Sequence, residues 1–452
     1  MVLIERKAHP KVDPQNEIQG WYPWFVVAVL CFAGIVSYVD RQIINLLVEP
    51  IKLSLNINDT QVSLVQGLSF ALFYALMALP LARIADSGNR KLVIIWGIIF
   101  WSIATFSCGL AVGFWSLFVA RVFVGAGEAT LAPAGYSMLG DYFSKERLPL
   151  AISIFTGSGF IGSGVALIIG AFVIDRVFAM GDVVLPLLGT VEPWQLTFML
   201  VALPSVLVVA LMMLVKEPVR KGEHNQGTTQ KNQTKVPLKQ VFAHLNDHRR
   251  IYIAIFFGFS LLASAQFSIG AWTPSLFIRT WGWTAPQIGG WFGTLAAIFS
   301  TAGVLCGGWL SSYLWRRGIV SGNFIVPLSS TLICIPLALL MPIMDSPEKS
   351  LIILALVLFF GSAPFGTGTA TLPQISPNRM RAQTVAIYLL IANLLGFTIG
   401  PTSVALVTDF IFADPAKLKY SLAIVPPLLM FLGFLVVISG LPFYQKYMAN
   451  QK

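Results

Sequence analysis

Residues 24–48 read WFVVAVLCFAGIVSYVDRQIINLLV, an apolar run that contains two adjacent charged residues, Asp40 and Arg41. A second apolar run further along the chain contains Arg121 and Glu128. Both runs are long enough to cross a bilayer, because a spanning helix needs about 20 apolar residues. A charge at that depth costs at least ~2.5–3.5 kcal/mol, so it normally faces a partner or a water-filled cavity. The four charges therefore predict a polar site between membrane helices.

The composition excludes an aqueous fold. Of the 452 residues, 56% are hydrophobic and only 11% are charged, whereas a soluble domain carries about 25% charged residues. About twelve apolar runs can be counted along the chain. They lie near residues 24–48, 61–82, 92–112, 114–139, 150–174, 194–215, 251–278, 287–313, 321–343, 350–374, 382–408 and 421–443. The sequence therefore predicts an all-α integral membrane protein with about twelve transmembrane helices.

The basic residues indicate how the chain is oriented. The net charge is +10, which on a soluble protein would suggest nucleic acid, but no nucleic-acid partner is expected here. Lys and Arg concentrate before the first run and in the loops after the second, fourth, eighth and tenth runs. The positive-inside rule then puts both termini in the cytoplasm. We expect a multi-pass protein of the plasma membrane, which in a bacterium is the inner membrane.

A long polar stretch, Lys216 to Arg250, divides the chain into two sets of six apolar runs. The expected order is a cytoplasmic N-terminal segment (1–23), a six-helix bundle (24–215), a cytoplasmic linker (216–250), a second six-helix bundle (251–443) and a cytoplasmic tail (444–452). Inside the linker, residues 238–245 could form a short amphipathic helix on the inner leaflet. A solvated basic tether is the preferred interpretation of this segment.

The two halves resemble each other at matched positions. Residues 82–91, after the second run, read ARIADSGNRK, and residues 308–317, after the eighth, read GWLSSYLWRR, with a basic pair at the same offset. The spacing is consistent with one duplicated six-helix unit. Internal repeats of this kind are typical of transporters, in which two bundles rock around a central site. Alternating access is therefore favoured over a channel.

Residues 82–91 resemble the loop signature of the major facilitator superfamily, with matches at Asp86, Arg90 and Lys91. A denser resemblance, over roughly residues 36–165, is to the Spinster family within that superfamily. The residues that carry it are Tyr38-Val39-Asp40-Arg41 with Asn45, Asp59-Thr60-Gln61, Phe70-Ala71-Leu72-Phe73-Tyr74, Arg121-Val122-x-Val124-Gly125-x-Gly127-Glu128-Ala129, Pro133-Ala134-x-Tyr136-Ser137 and Asp141-Tyr142-Phe143.

The resemblance implies a fold of two pseudo-symmetric six-helix bundles. It also implies transport of single-chain amphiphilic lipids, such as lysophospholipids or relatives of sphingosine-1-phosphate, with the proton coupling that several Spinster-like proteins are thought to use. At the cytoplasmic face, Asp86, Arg90, Asp141 and Arg147 are expected from the same resemblance to form a charge latch, or gate, that stabilises the outward-facing state.

The buried charges suggest roles in such a transporter. A carboxylate away from water binds a proton more readily, so Asp40 or Glu128 is expected to carry the coupling proton. Arg41 or Arg121 is expected to hold a lipid phosphate, because arginine stays charged and binds phosphate through two hydrogen bonds. At about 1.5 Å of rise per residue, Asp40 and Arg121 fall at one depth and should face each other, with Glu128 about 10 Å deeper. The alternative is a neutralised set that locks the first helix to the fourth.

The second half offers no counterpart to these charges and predicts a mostly apolar wall. Its polar candidates for the cavity are Gln266, Thr367, Thr369, Thr371 and Asn393. Its candidates for an acyl-chain pocket are Trp272, Phe292 and Phe365. For all of them, helix packing is the preferred interpretation. A polar half that faces an apolar half suits an amphiphile better than a sugar or a peptide.

These inferences favour a proton-linked secondary transporter of lysolipid-like substrates. It is expected to function as a monomer, with the lipid and the bilayer as partners and no cofactor besides the proton. A carrier of amphipathic organic anions or drugs is the alternative. An integral-membrane lipid enzyme is disfavoured, because the sequence has no His-containing cluster and no Walker-type phosphate loop. The four histidines lie outside the apolar runs, and no metal site is expected.

Overall fold

The computed structural model describes residues 20–144, 147–186, 188–220, 238–377 and 380–450. In this part of the chain, twelve helices are long and apolar enough to cross a membrane. They are α1 (Tyr22–Leu46), α2 (Asp59–Ala85), α3 (Arg90–Cys108), α4 (Phe114–Tyr142), α5 (Leu150–Met180), α6 (Pro193–Leu214), α7 (Arg249–Trp281), α8 (Ala285–Arg316), α9 (Gly322–Ile343), α10 (Pro347–Gly368), α11 (Gln383–Phe412) and α12 (Pro415–Ala449). The prediction of an all-α membrane fold with about twelve spanning helices is confirmed.

Several of these helices have a polar capping residue at their N-terminus. The side chain of Asn89 accepts a hydrogen bond from a first-turn N–H of α3, at 3.0 Å. Asn58 with Gln61 forms a capping box before α2, and Thr284 with Gln287 forms one before α8. Such caps satisfy backbone N–H groups that the first helical turn leaves free. Adjacent spans can therefore be joined by short loops.

Helices α2 and α8 each contain a π-helical turn, at Leu64–Leu68 and Ala296–Ser300. The two turns lie at the spacing of the predicted repeat. Further π-helical turns lie in α7, at Ala254–Gly258, and at the end of α11, at Val407–Phe412. A π-helical turn inserts one residue and changes which side chains face the neighbouring helices. Apolar periodicity in the sequence does not reveal such insertions.

Because an even number of spans brings both chain ends to one side, we call that side proximal and the opposite side distal. Two small elements lie in the distal loops. One is a helix, Val48–Leu55, between α1 and α2. The other is a hairpin between α5 and α6, in which β1 (Val183–Leu185) pairs antiparallel with β2 (Gly189–Val191).

The linker contains a helix, Leu238–Asp247, so the preferred interpretation of this segment as a tether is wrong. Val241 is fully buried and Leu245, four residues later, packs against the main hydrophobic core. Phe242 lies on the other side of the helix and is exposed. Apolar residues four apart share one face of a helix, and burying that face stabilises the helical form. The preceding residues, 221–237, lie outside the described part of the chain.

The last spanning helix continues to Ala449, beyond the predicted end of the final apolar run at residue 443. Tyr444 explains the extension, because its side chain is buried against the proximal ends of neighbouring helices. Its ring stacks on Phe324 with centroids 4.7 Å apart, and its hydroxyl donates to Gln374 at 2.7 Å. The residues that read as a polar tail therefore continue a packed helix.

Glycines allow the closest helix contacts. A Cβ atom added at Gly125 of α4 would lie 2.3 Å from the carbonyl oxygen of Phe70 in α2. A Cβ atom added at Gly164 of α5 would lie 2.4 Å from the carbonyl oxygen of Gly293 in α8. Contacts this short mean that a side chain at either glycine would force the two helices to move apart. The first contact joins two helices of one half, and the second joins the two halves.

The distal ends of the halves are joined by ion pairs and hydrogen bonds. Arg279, at the end of α7, donates two hydrogen bonds to Asp59 at 2.7 and 2.8 Å and one to Glu49 at 2.8 Å. The backbone N–H and the hydroxyl of Thr60 both donate to Asp409 at 2.7 Å. We call these five residues the distal lock. Several polar contacts join a described residue of one half to a described residue of the other. All of these contacts lie in the distal part of the molecule.

Candidate functional site

The ion pair at the centre of the first half joins Arg41 to Glu128. Arg41 Nη2 donates to Glu128 Oε2 at 2.5 Å. The hydroxyl of Ser37, one helical turn earlier on α1, donates to the same oxygen at 2.7 Å. The Glu128 side chain is almost completely buried. A buried carboxylate that accepts two hydrogen bonds is held in one position, and Arg41 is fixed with it.

Asp40 and Arg121 lie at one level, as the helix rise predicts, but their side chains do not form an ion pair. Arg121 Nη1 donates to the backbone carbonyl of Asp40 at 2.9 Å, and both side chains are completely buried. The carboxylate oxygens of Asp40 have no hydrogen-bond partner among the described residues. Trp101 and Thr105 of α3 are the polar neighbours that face this carboxyl group. Asp40 therefore points into the interior of the first half.

The ring of Phe70 lies against both arginines. Its centroid is 4.3 Å from Arg41 Cζ and 5.9 Å from Arg121 Cζ. The rings of Tyr38 and Tyr74 also lie near the Arg41 guanidinium, at 5.0 and 5.6 Å. An aromatic face attracts a cation, by about 2 kcal/mol or more where water is excluded. These rings compensate part of the cost of burying two guanidinium groups.

A cavity of about 360 Å³ lies between the two halves. Of the described side chains that line it, Arg41 alone is charged. Glu128 lies behind Arg41, and neither Asp40 nor Arg121 reaches the cavity wall. The four charges were predicted to share one site, but they do not. Arg41 lies on the cavity surface, Glu128 lies directly behind it, and Asp40 and Arg121 are enclosed.

Four uncharged polar residues on the cavity wall were missed by the sequence reasoning. Gln66 Nε2 donates to Asn45 Oδ1 at 3.0 Å, and Asn45 Nδ2 donates to Gln42 Oε1 at 2.7 Å. Gln42 Nε2 then donates to the hydroxyl of Ser163 at 2.7 Å. We call these four residues the amide chain. The available signal was that Gln42 and Asn45 follow Arg41 on one helix, but single amides in membrane spans usually pack against other helices.

Four of the second-half candidates line the cavity. Gln266 and Asn393 contribute polar groups, and Phe292 and Phe365 contribute aromatic rings. Phe365 also contacts Phe160 of the first half, with ring centroids 6.3 Å apart. The preferred interpretation of these four residues as helix packing alone is therefore wrong.

The remaining second-half candidates lie elsewhere. Trp272 is completely buried and donates its Nε1–H to the carbonyl oxygen of Pro401 at 2.9 Å. The hydroxyls of Thr367 and Thr371 donate to carbonyl oxygens of their own helix, at 3.1 and 3.0 Å. The side chain of Thr369 lies outside the described set. For the three described residues, packing is the correct interpretation.

At the proximal face, Arg90 joins three helices of the first half. It forms ion pairs with Asp141 at the end of α4 and with Glu217 after α6. Glu217 was not predicted as part of this group. Arg147 is exposed at the start of α5, and the side chain of Asp86 lies outside the described set. The described contacts of Arg90 therefore stay within one half and do not by themselves form a latch between the halves.

Across the described residues, no three His, Cys, Asp or Glu side chains come close enough to hold a metal ion. The cysteines Cys31, Cys108, Cys306 and Cys334 are free thiols. The described cavity wall therefore offers a ligand Arg41, uncharged polar side chains such as the amide chain, Gln266 and Asn393, and aromatic rings.

Two related halves of six spanning helices around a central cavity define a secondary transporter. The family model described as the Major Facilitator Superfamily matches residues 30–401, so the chain belongs to that superfamily. The relatives similar to this chain include proteins named spinster, the family that its motifs resemble.

Membership of this superfamily confirms the prediction that the chain is a transporter and not an enzyme. Protein spinster homolog 3 of Danio rerio is 25% identical, over 96% of this chain and 88% of its own. An MFS-type efflux pump of Mycolicibacterium smegmatis is 25% identical, over 86% of each chain. A solved bacterial homologue of the human lysosomal transporter Spinster, in an inward-facing and unoccupied conformation, is 24% identical with a TM-score of 0.76. That match covers 96% of this chain and 98% of the homologue.

Proposed function

We propose that this transporter moves single-chain amphiphilic lipids with a phosphate-bearing headgroup, such as lysophospholipids, by proton-coupled alternating access. The observation that carries the proposal is the cavity in which Arg41 is the single charged residue of the described wall. A guanidinium binds a phosphate through two hydrogen bonds. The rest of the ligand is expected to be neutral or apolar, because no other described side chain of the wall is charged. A lysolipid-like molecule meets both conditions.

The second half supports binding of an acyl chain. Its part of the wall carries the rings of Phe267, Phe292 and Phe365, together with Ala271 and Ala296. Binding sites for small molecules are mostly apolar and have volumes of about 300–1,000 Å³. The cavity falls in that range. A phosphate at Arg41 would leave an attached hydrocarbon chain against these apolar residues.

Proton coupling follows from competition for Arg41. In the described state its guanidinium pairs with Glu128. A proton on Glu128 removes the negative charge and frees the guanidinium for a phosphate, whereas loss of the proton restores the ion pair and displaces the phosphate. Asp40, enclosed behind the same helix, is a second candidate for the coupling proton. Opening the site to alternate sides would change the access of water to both carboxylates.

We infer the orientation and the location from the charge of the loops. The proximal side, which is rich in Lys and Arg, faces the cytoplasm. The similarity to an efflux pump of a bacterium supports the plasma membrane, which in a bacterium is the inner membrane. The distal lock then closes the outer side, and the cavity exchanges its ligand with the inner side.

The test is a flux assay with purified protein in vesicles. We expect saturable movement of a lysophospholipid that increases when a pH gradient is imposed. Arg41→Ala should lower this flux at least tenfold, because the phosphate loses its partner. Glu128→Gln should abolish the response to the pH gradient, because its side chain cannot release a proton. Arg316→Gln removes an exposed charge at the proximal surface, far from the cavity, and should leave the flux unchanged.

A carrier of amphipathic organic anions or drugs is the competing function, and the similarity to an efflux pump supports it. The same vesicles, loaded with an amphipathic organic anion, distinguish the two. Saturable movement of that anion without movement of any lysophospholipid would reject the proposed substrate class.

A further inference from the structure

The amide chain has a direction. Each amide nitrogen donates to the oxygen of the next residue, from Gln66 through Asn45 and Gln42 to the hydroxyl of Ser163. At the two ends of the chain, the carboxamide oxygen of Gln66 accepts no hydrogen bond from it, and the hydroxyl proton of Ser163 is not used in it. The Gln66 oxygen is buried and has no partner among the described residues. One end can accept a hydrogen bond, and the other can donate one.

The amide chain lies beside the expected phosphate position. Gln42 follows Arg41 directly, and Asn45 lies one turn further along α1, about 5.4 Å in axial distance. All four residues of the chain line the same cavity as Arg41. A lipid whose phosphate pairs with Arg41 therefore has the remainder of its headgroup in the cavity that the free oxygen of Gln66 and the hydroxyl of Ser163 line.

We propose that the amide chain is a subsite for hydroxyl groups, and that the preferred lipid carries a polyol such as glycerol beyond its phosphate. The inference rests on the proposed function and narrows its substrate class. A hydroxyl both donates and accepts hydrogen bonds, so it matches both free ends of the chain. A primary ammonium only donates, and can satisfy Gln66 alone. A trimethylammonium group has no N–H to donate and satisfies neither end.

The charge of the cavity also favours a headgroup with hydroxyls over one with an ammonium group. No carboxylate is among the described residues of the wall, so a cationic headgroup finds no ion-pair partner there. A site built to bind a hydroxyl discriminates strongly against analogues that lack it, because its own buried polar groups are then left unpaired. We therefore expect lysophosphatidylglycerol to bind at least tenfold more tightly than lysophosphatidylcholine with the same acyl chain.

The experiment measures binding by thermal stabilisation of the purified full chain in detergent, with the two lipids titrated separately. Gln66→Leu and Ser163→Ala should each weaken binding of the glycerol lipid at least fivefold and leave binding of the choline lipid unchanged. Ser163→Ala removes only one hydroxyl, so it supplies the result if Gln66→Leu does not fold. Gln445→Leu makes the same change as Gln66→Leu at an exposed position of α12 and should preserve the preference.

Equal affinity of the wild-type protein for the two lipids would overturn the inference, as would variants that weaken both lipids to the same degree. Failure to bind either lipid would overturn it as well. The result is independent of the flux assay. A preference for the glycerol lipid in binding, without any lipid flux, would reject the proposed function and retain the subsite. Lipid flux without that preference would retain the proposed function and reject the subsite.

Discussion

At the scale of single residues, Phe70 determines the surroundings of both buried arginines. Its ring lies between the guanidinium that faces the cavity and the one that is enclosed behind it. The face of an aromatic ring carries partial negative charge, which an aliphatic side chain of similar size lacks. Phe70 therefore contributes an electrostatic interaction in addition to apolar packing.

Replacing Phe70 by Leu separates these two contributions. Phe70→Leu retains an apolar side chain and removes the ring face, so we expect the free energy of unfolding to fall by about 1–2 kcal/mol. The measurement is the midpoint of thermal unfolding in detergent. Phe431→Leu makes the same change at a half-exposed position of α12 and should shift the midpoint little. Equal shifts for the two variants would contradict a role for the ring face.

The sequence predicted which charges are buried, but the predicted pairing of the Asp40 and Arg121 side chains is wrong. Helix rise gives the depth of a residue, and on that basis Asp40 and Arg121 lie at one level, as expected. It gives no information on rotation, and successive residues of a helix point about 100° apart. Asp40 therefore faces the interior of the first half, while Arg41 faces the cavity and pairs with Glu128. Only the packing of α1 against its neighbours determines that rotation.

At the scale of elements, helix α4 depends on glycines for its contact with α2. Gly125 lies against the backbone of Phe70, whereas Gly140, further along the same helix, has open space around it. We expect Gly125→Ala to lower the free energy of unfolding by about 1–3 kcal/mol, because the added methyl group must push the helices apart. Gly140→Ala should be neutral or stabilise by up to about 1 kcal/mol. Thermal unfolding of the two variants checks this, and equal midpoints would contradict the close contact.

The linker helix Leu238–Asp247 is attached to the second half through His244. Its Nε2 lies 3.1 Å from the hydroxyl of Tyr252 and 3.3 Å from the carbonyl oxygen of Ile375. Burial lowers the pKa of His244, and the neighbouring His248 lowers it further, while the carbonyl of Ile375 and the charge of Asp247 act in the opposite direction. The docked helix therefore favours the neutral imidazole.

The docking of this helix should weaken in acid. An undocked histidine takes up a proton below its ordinary pKa of about 6.5, whereas the docked one resists protonation. Docking is therefore strongest above that pH and is lost progressively as the pH falls below it. We expect backbone hydrogen exchange in residues 238–247, corrected for the intrinsic effect of pH, to be several-fold faster at pH 5.5 than at pH 8. His244→Gln should remove this difference, and its persistence in that variant would assign the effect to another group.

At the scale of the whole molecule, the twelve spans and the division into two halves were predictable, because membrane helices can be recognised in a sequence by their length and apolar composition. The matched π-helical turns of α2 and α8 were not predictable, since one inserted residue changes no apolar run. The distal lock was also missed. Its residues come from helix ends far apart in the sequence, such as Asp59 and Arg279, and only the closed arrangement of the halves brings them together.

Removing one charge of the distal lock should open that side. Asp59 is completely buried and pairs with both Arg279 and Lys52, so Asp59→Asn leaves two cations with a weaker partner. In a background without native cysteines, we expect a cysteine at position 45 to react several-fold faster with an impermeant thiol reagent added from the distal side. Asp345→Asn breaks an exposed distal ion pair within one half and should not change the rate. An unchanged labelling rate of the cysteine in Asp59→Asn would contradict the role of the distal lock in closing that side.

The balance of charge around Arg41 has an electrical consequence. Asp40, Arg41, Arg121 and Glu128 comprise two acids and two bases, so with all four ionised the unloaded protein moves no net charge from this region when it changes conformation. A phosphodiester lipid brings one negative charge, on which a membrane voltage of 100 mV acts with about 2.3 kcal/mol. One proton carried with each such lipid makes the loaded protein electrically silent. Current recorded across the membrane would therefore count the protons that accompany each lipid.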